Sequence, residues 1–214
     1  MKYIKLFENF DSYDPYELML IPPGKKSEMI VEEMKSKTPN LDLIRDLITL
    51  GADLSWKGDV FGDNLLHKCA DWDLPEIARI FIDAGVDVNS QEINGWSVLH
   101  GCANYNRPEI ARMLLEAGAD PNIQDQHGLV PLHFCVISNH PEMTIVLIEG
   151  GVDLNIQDKD GITPLHLCAA WKMSEIARIL IDAGADVNIL DNKGKTPYDY
   201  ATLLTPELKK LLKP

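Results

Sequence analysis

Four His-x-Cys pairs, His67-Lys68-Cys69, His100-Gly101-Cys102, His133-Phe134-Cys135 and His166-Leu167-Cys168, join residue types that serve elsewhere as base and nucleophile or as metal ligands. Two positions along a helix correspond to about 200° of rotation, so the imidazole and thiol of one pair diverge. The pairs recur every 33 residues, which puts the cysteines on successive stacked helices with axes roughly 8–10 Å apart. A disulfide needs Cα atoms within about 7 Å, and a shared zinc needs each thiolate at about 2.3 Å. The pairs therefore read as scaffold: cysteine as a small apolar residue, histidine as a ring whose two nitrogens tie down the preceding turn. His127 and His140 lie off this ladder with no evident partner. No catalytic residue, metal ligand or cofactor is expected.

The same step of 33 runs through Gly62, Gly95, Gly128, Gly161 and Gly194, through Glu76, Glu109, Glu142 and Glu175, and through the Asp-x-Asn pairs that begin at Asp87, Asp120, Asp153 and Asp186. A stack of like units produces such a ladder. Each unit is readable from local rules. In residues 125–155, Gly128 sits in a turn that calls for positive φ, and Pro131 suits the first turn of a short helix. Asn139 closes that helix in the left-handed conformation, Pro141-Glu142 begin a second helix, and Gly151 ends it. The expected unit is helix, turn, helix, hairpin loop.

The period and the run Gly161-Ile162-Thr163-Pro164-Leu165-His166-Leu167-Cys168-Ala169-Ala170, followed by Gly184-Ala185-Asp186-Val187-Asn188, resemble the ankyrin-repeat family. The resemblance spans roughly residues 25–214 and implies an all-α ankyrin-repeat solenoid. Full repeats are expected at 59–91, 92–124, 125–157 and 158–190. An N-terminal cap at 25–58 and a C-terminal cap at 191–214 complete a single domain, 25–214, behind a tail, 1–24. The cap at 27–51 is expected to be a helix pair whose wet face carries Glu28, Glu32, Glu33, Lys35 and Lys37. At the other end Thr196-Pro197-Tyr198-Asp199 lacks the histidine, and Lys209, Lys210 and Lys213 mark the last helix.

The 33 acidic residues against 20 Lys and Arg give a net charge of −13, and many acids occupy laddered positions. The scattered cations make no basic surface, so no nucleic-acid partner is expected. Charge interrupts the first apolar run too early for a secretory signal, and no 18-residue apolar stretch follows, so no membrane partner and a soluble, cytoplasmic monomer are expected. Pro22-Pro23-Gly24 reads as the separator of the tail. Within the tail, the Leu6-Phe7-Glu8 triplet resembles the short head-targeting peptides of tailed-phage internal proteins. That resemblance implies a virion-packaged or host-delivered protein; the other reading is a tail folded back through Leu18, Leu20 and Ile21.

In the ankyrin family partners are gripped by the hairpin tips and the exposed side of each first helix, and the resemblance carries five contact positions per unit onto this chain. They include Phe61, Asp63, Asp71 and Trp72, then Asn94, Trp96 and Tyr105, then Gln126, His127, Leu129 and Ile137, then Ile162 and Trp171. Three of the four tryptophans fall among them, and Trp and Tyr dominate interface hot spots. Phe61, Trp72, Trp96, Tyr105, Leu129, Ile162 and Trp171 are the candidate partner-binding residues. The expected function is a stand-alone protein-protein interaction module: an adaptor, inhibitor or decoy for a protein with an apolar ridge and some basic character. The alternatives are a phage- or parasite-encoded effector that disables a host factor, and a substrate of asparaginyl hydroxylation, because Asn89, Asn122, Asn155 and Asn188 resemble the hairpin asparagines modified in ankyrin proteins. An enzyme is not expected. Ile145 stands alone on the second helices, where sister repeats carry Arg79, Arg112 and Arg178.

Overall fold

The computed structural model describes residues 15–58, 62–200 and 206–213. Phe61 and the Leu6-Phe7-Glu8 triplet lie outside them. Two compact units are present, Met1–Gly58 and Asp59–Pro214. Regular structure among the described residues is helical, apart from one isolated antiparallel bridge between Gln91 and Ser97.

The first unit contains α1 (Pro15–Met19), α2 (Pro23–Met34) and α3 (Leu41–Thr49), with α2 packed on α3. Pro23 and Gly24 open α2 rather than separating it from what precedes. Proline suits a first helical position because its missing N–H would have no partner there. Leu18 and Ile21 are buried, whereas Leu20 is 84% exposed, so only two of the three apolar residues at this end are covered. Glu33 leaves the wet face expected for it: it is buried, and its Oε1 accepts the Asn40 N–H at 2.7 Å, tying α2 to the N-cap of α3. Ser27 Oγ donates to the carbonyls of Pro23 and Asp53, and buried Lys26 donates to Leu50 O at 2.7 Å.

The second unit is a two-layer stack. The first helices of successive units are α4 (Leu65–Trp72), α6 (Val98–Tyr105), α8 (Pro131–Ile137), α10 (Pro164–Trp171) and α12 (Pro197–Tyr200), each packed on the next. The second helices, α5 (Pro75–Asp83), α7 (Pro108–Glu116), α9 (Pro141–Glu149), α11 (Ser174–Asp182) and α13 (Pro206–Leu211), form the other layer in the same way. The fold is the expected all-α repeat stack. Its core is periodic: Leu66, Leu99, Leu132 and Leu165 are at most 1% exposed, as are Cys69, Cys102, Cys135 and Cys168. The four thiols are free.

Asn139 adopts φ 55, as expected, and Asp73, Asn106 and Lys172 share its left-handed conformation at the ends of their first helices. Gly128 combines φ 83 with a close approach: a Cβ there would sit 2.9 Å from Lys159 N in the next hairpin. Hairpins are stitched by side chains as well. Gln91, Gln124 and Gln157 each donate from Nε2 to a carbonyl 33 residues on. Asn89, Asn122 and Asn155 accept through Oδ1 the N–H of Asp120, Asp153 and Asp186. Ile145 is 43% exposed on α9.

Candidate functional site

The histidine ladder positions everything else. In each unit Nδ1 accepts the N–H of the helix N-cap: Asn64 to His67, Ser97 to His100, Val130 to His133 and Thr163 to His166, at 3.0–3.3 Å. A ring that accepts at Nδ1 carries its proton on Nε2. That proton is donated to the hairpin carbonyl of the following unit, on Trp96, Leu129, Ile162 and Lys195, at 3.0–3.2 Å. Each imidazole is thus a bracket between neighbouring repeats, with both nitrogens occupied. Burial pushes the pKa of His100 down to about 4 and lowers that of His133. Burial likewise raises the thiols of Cys69, Cys102, Cys135 and Cys168, which makes them poor nucleophiles.

Asp199 occupies the next rung, and its carboxylate accepts both the N–H and the hydroxyl of Thr196, at 2.8 and 2.9 Å. It performs the inward half of the histidine's task, the half a carboxylate acceptor can do. His140, for which the sequence shows no partner, donates from Nε2 to Asn104 O at 3.2 Å, since a carbonyl can only accept. Arg107, one unit earlier, spans the equivalent seam by donating to Ala70 O and to the Asp73 carboxylate.

The candidate partner-binding residues fall into two rows. Trp72, Tyr105 and Trp171 are the last residues of α4, α6 and α10 and are 38%, 44% and 46% exposed. Ser138 stands at the equivalent point of the third unit, beside exposed Ile137. Trp96, Leu129 and Ile162 belong to the hairpin row, the residues whose carbonyls receive the histidine protons, and all three are half-buried. Trp96 therefore differs in phase and environment from the other large rings. It packs edge-on against Phe134 with centroids 4.7 Å apart and stacks on His100 at 6.2 Å. Such aromatic contacts are worth about 0.5–1.5 kcal/mol beyond area burial.

A groove of about 710 Å³ brings three of the seven candidates together, Trp96, Tyr105 and Leu129, with Phe134 and Gly101 contributing to its lining. Trp72, Ile162 and Trp171 are outside it. Four carboxylates, Asp63, Asp71, Glu92 and Asp125, line it against one lysine, Lys68, which is bonded to Asp63 and lies 4.0 Å from Asp71. Gly101, Phe134 and Lys68 were not among the candidates. They hold one position, the residue after the laddered histidine, which reads Lys68, Gly101, Phe134, Leu167 and Tyr200 down the stack. A glycine inside a helix costs about 1 kcal/mol relative to alanine, so Gly101 between two large neighbours was the available signal. Its missing side chain leaves space between Lys68 and Phe134.

A family model of ankyrin repeats, in three copies, matches residues 34–125 and 126–213. This chain belongs to the ankyrin-repeat family. Ankyrin repeats are protein-protein interaction modules, and in this ankyrin protein the exposed row and the groove lie on the first-helix and hairpin side. Among the described residues no helix is long and apolar enough to cross a membrane.

Proposed function

We propose that this ankyrin protein is a binding module, acting as adaptor, inhibitor or decoy, that holds a partner protein against the groove and the aromatic row beside it. The observation that carries this reading is the groove itself, because it gathers the half-buried Trp96 and Leu129 and the exposed Tyr105 into one concavity. Large rings left partly wet cost free energy that a partner recovers by covering them. The laddered histidines are used up in joining repeats, which leaves the surface, rather than a reacting dyad, to carry function. We place the protein in the cytoplasm as a monomer.

The experiment is a pair of measurements on Tyr105→Ala combined with Trp171→Ala, chosen because both side chains are more than one-third exposed. Against a partner captured from the native source, the double variant should bind roughly a thousandfold more weakly, since hot-spot truncations cost about 2 kcal/mol or more each and two such losses at separate sites add. Its thermal midpoint should move little. Wild-type affinity in the variant would rule this surface out as the site.

A further inference from the structure

Asp125 is the oddest group in the groove. It is 7% exposed, and its Oδ1 is fully used, accepting the N–H groups of His127 and Leu129 at 2.7 and 2.9 Å. The same turn recurs at Asp158 and Asp191. In the last unit the second carboxylate oxygen, Oδ2 of Asp191, accepts the Tyr200 hydroxyl. The residue nine positions after Asp125 is Phe134, which offers a ring and no hydroxyl. Among the described residues no hydrogen-bond donor reaches Asp125 Oδ2. A buried carboxylate oxygen without a donor is costly, and Asp125 is among the residues that line the groove.

The surroundings specify what would complete it. Three more carboxylates, Asp63, Asp71 and Glu92, line the groove, and among its described lining residues one lysine, Lys68, pairs with Asp63 and stands 4.0 Å from Asp71, so acidic side chains outnumber lysines there. Aromatic side chains, Trp96, Tyr105 and Phe134, line the same space. A cation that is planar, weakly hydrated, able to fork onto carboxylate oxygens and able to stack on a ring matches all three features, and the arginine guanidinium has each of these properties. Lysine's strongly hydrated ammonium would lose more on entry. Resting on the reading of this groove as the partner site, we infer that the groove receives an arginine side chain from a basic segment of the partner protein, its guanidinium donating to Asp125 Oδ2 beside Tyr105.

The test is a nuclear magnetic resonance titration of the full chain with an acetylated, amidated glycine-serine peptide bearing three spaced arginines, and with the same peptide carrying citrulline, which keeps the shape and loses the charge. The arginine peptide should shift the Trp96 indole and the amides of the Asp125 turn, and citrulline should weaken binding tenfold or more. Asp125→Asn retains an Oδ1 acceptor for the turn and should also weaken binding at least tenfold. Phe134→Tyr supplies the hydroxyl that Tyr200 gives Asp191, so it should weaken binding as much while leaving the melting midpoint equal or higher. Glu142→Gln, an exposed acid on α9, should change the affinity less than twofold. Equal binding of the citrulline peptide in the groove would overturn the arginine assignment and leave the groove standing as a partner site. Shifts confined to other acidic surfaces and indifferent to Asp125 and Phe134 would overturn both. An absence of shifts at millimolar peptide also overturns the arginine assignment.

Discussion

Acid should loosen this protein through its buried brackets His100 and His133, whose pKa values burial lowers, and His100 is where the effect can be isolated. The ring is fully buried, and burial holds its pKa near 4 against 6.5 for a free imidazole, with the Leu129 carbonyl and Asp125 opposing the drop and His133 and His67 adding slightly to it. Its folded pKa is depressed, so between those values the unfolded chain binds more protons than the native one. Stability is constant above pH 6.5, falls as pH drops toward 4, and levels off below that for this group. Going from pH 7 to pH 5, the linkage for one such histidine removes about 2 kcal/mol. Asp199, held low by the Thr196 N–H and hydroxyl, loses its contribution at lower pH and does not confuse the window. The assay is urea denaturation at both pH values for the wild type and for His100→Gln, whose amide can still reach the N-cap N–H from the third helical position. The variant is expected to be less stable at pH 7, yet its loss on acidification should be smaller than the wild type's by about 2 kcal/mol. Equal losses would refute the claim that this ring is a neutral bracket between repeats.

Two further substitutions probe the stack. Gly128→Ala should lower the urea midpoint far more than Gly194→Ala: both positions have positive φ, worth about 1–2 kcal/mol for a non-glycine residue, but only at Gly128 would the new methyl meet the next hairpin's backbone. Equal costs would show that conformation alone selects these glycines. Gly101→Ala, whose Cβ would meet Ala70 at an ordinary 3.5 Å, should raise stability by up to about 1 kcal/mol while weakening partner binding by filling the groove. A variant that gains stability and binds as before would remove Gly101 from the site.

The fold was legible because repetition multiplies each weak local signal. One Pro at a helix start or one Asn at a helix end is suggestive; five units in register make the reading secure. Asn139, Pro131 and Gly151 behave as their types require. Errors cluster where periodicity is silent. Pro23-Gly24 begins a helix, Glu33 turns inward to Asn40, and Leu20 faces water, all in the first unit, which has no ladder to check against. Within the stack, Trp96 shows the second limit. Its repeat position marks it as a surface residue, but burial depends on what the next unit presents, here Phe134. The groove likewise arises from a difference between neighbours, Gly101 beside Lys68 and Phe134, that no single unit contains.

That dependence suggests how such a scaffold carries a site. Positions whose side chains join repeats cannot vary freely: the histidine must accept on one side and donate on the other, and its replacement at Asp199 comes where only the accepting half is performed. The next residue along faces the same side of the stack but makes no obligatory bond, so it is free to be Lys68, Gly101, Phe134, Leu167 or Tyr200. Those choices set, unit by unit, whether the adjoining aspartate is internally satisfied, as Asp191 is by Tyr200, or left with an open oxygen, as Asp125 is beside Phe134. The recurring rung supplies rigidity, and the variable residue next to it decides where the surface is incomplete. In the proposed site, incompleteness at a buried carboxylate within a concavity lined by rings is what an arginine of the partner would relieve, and specificity would then follow the departures from the repeat.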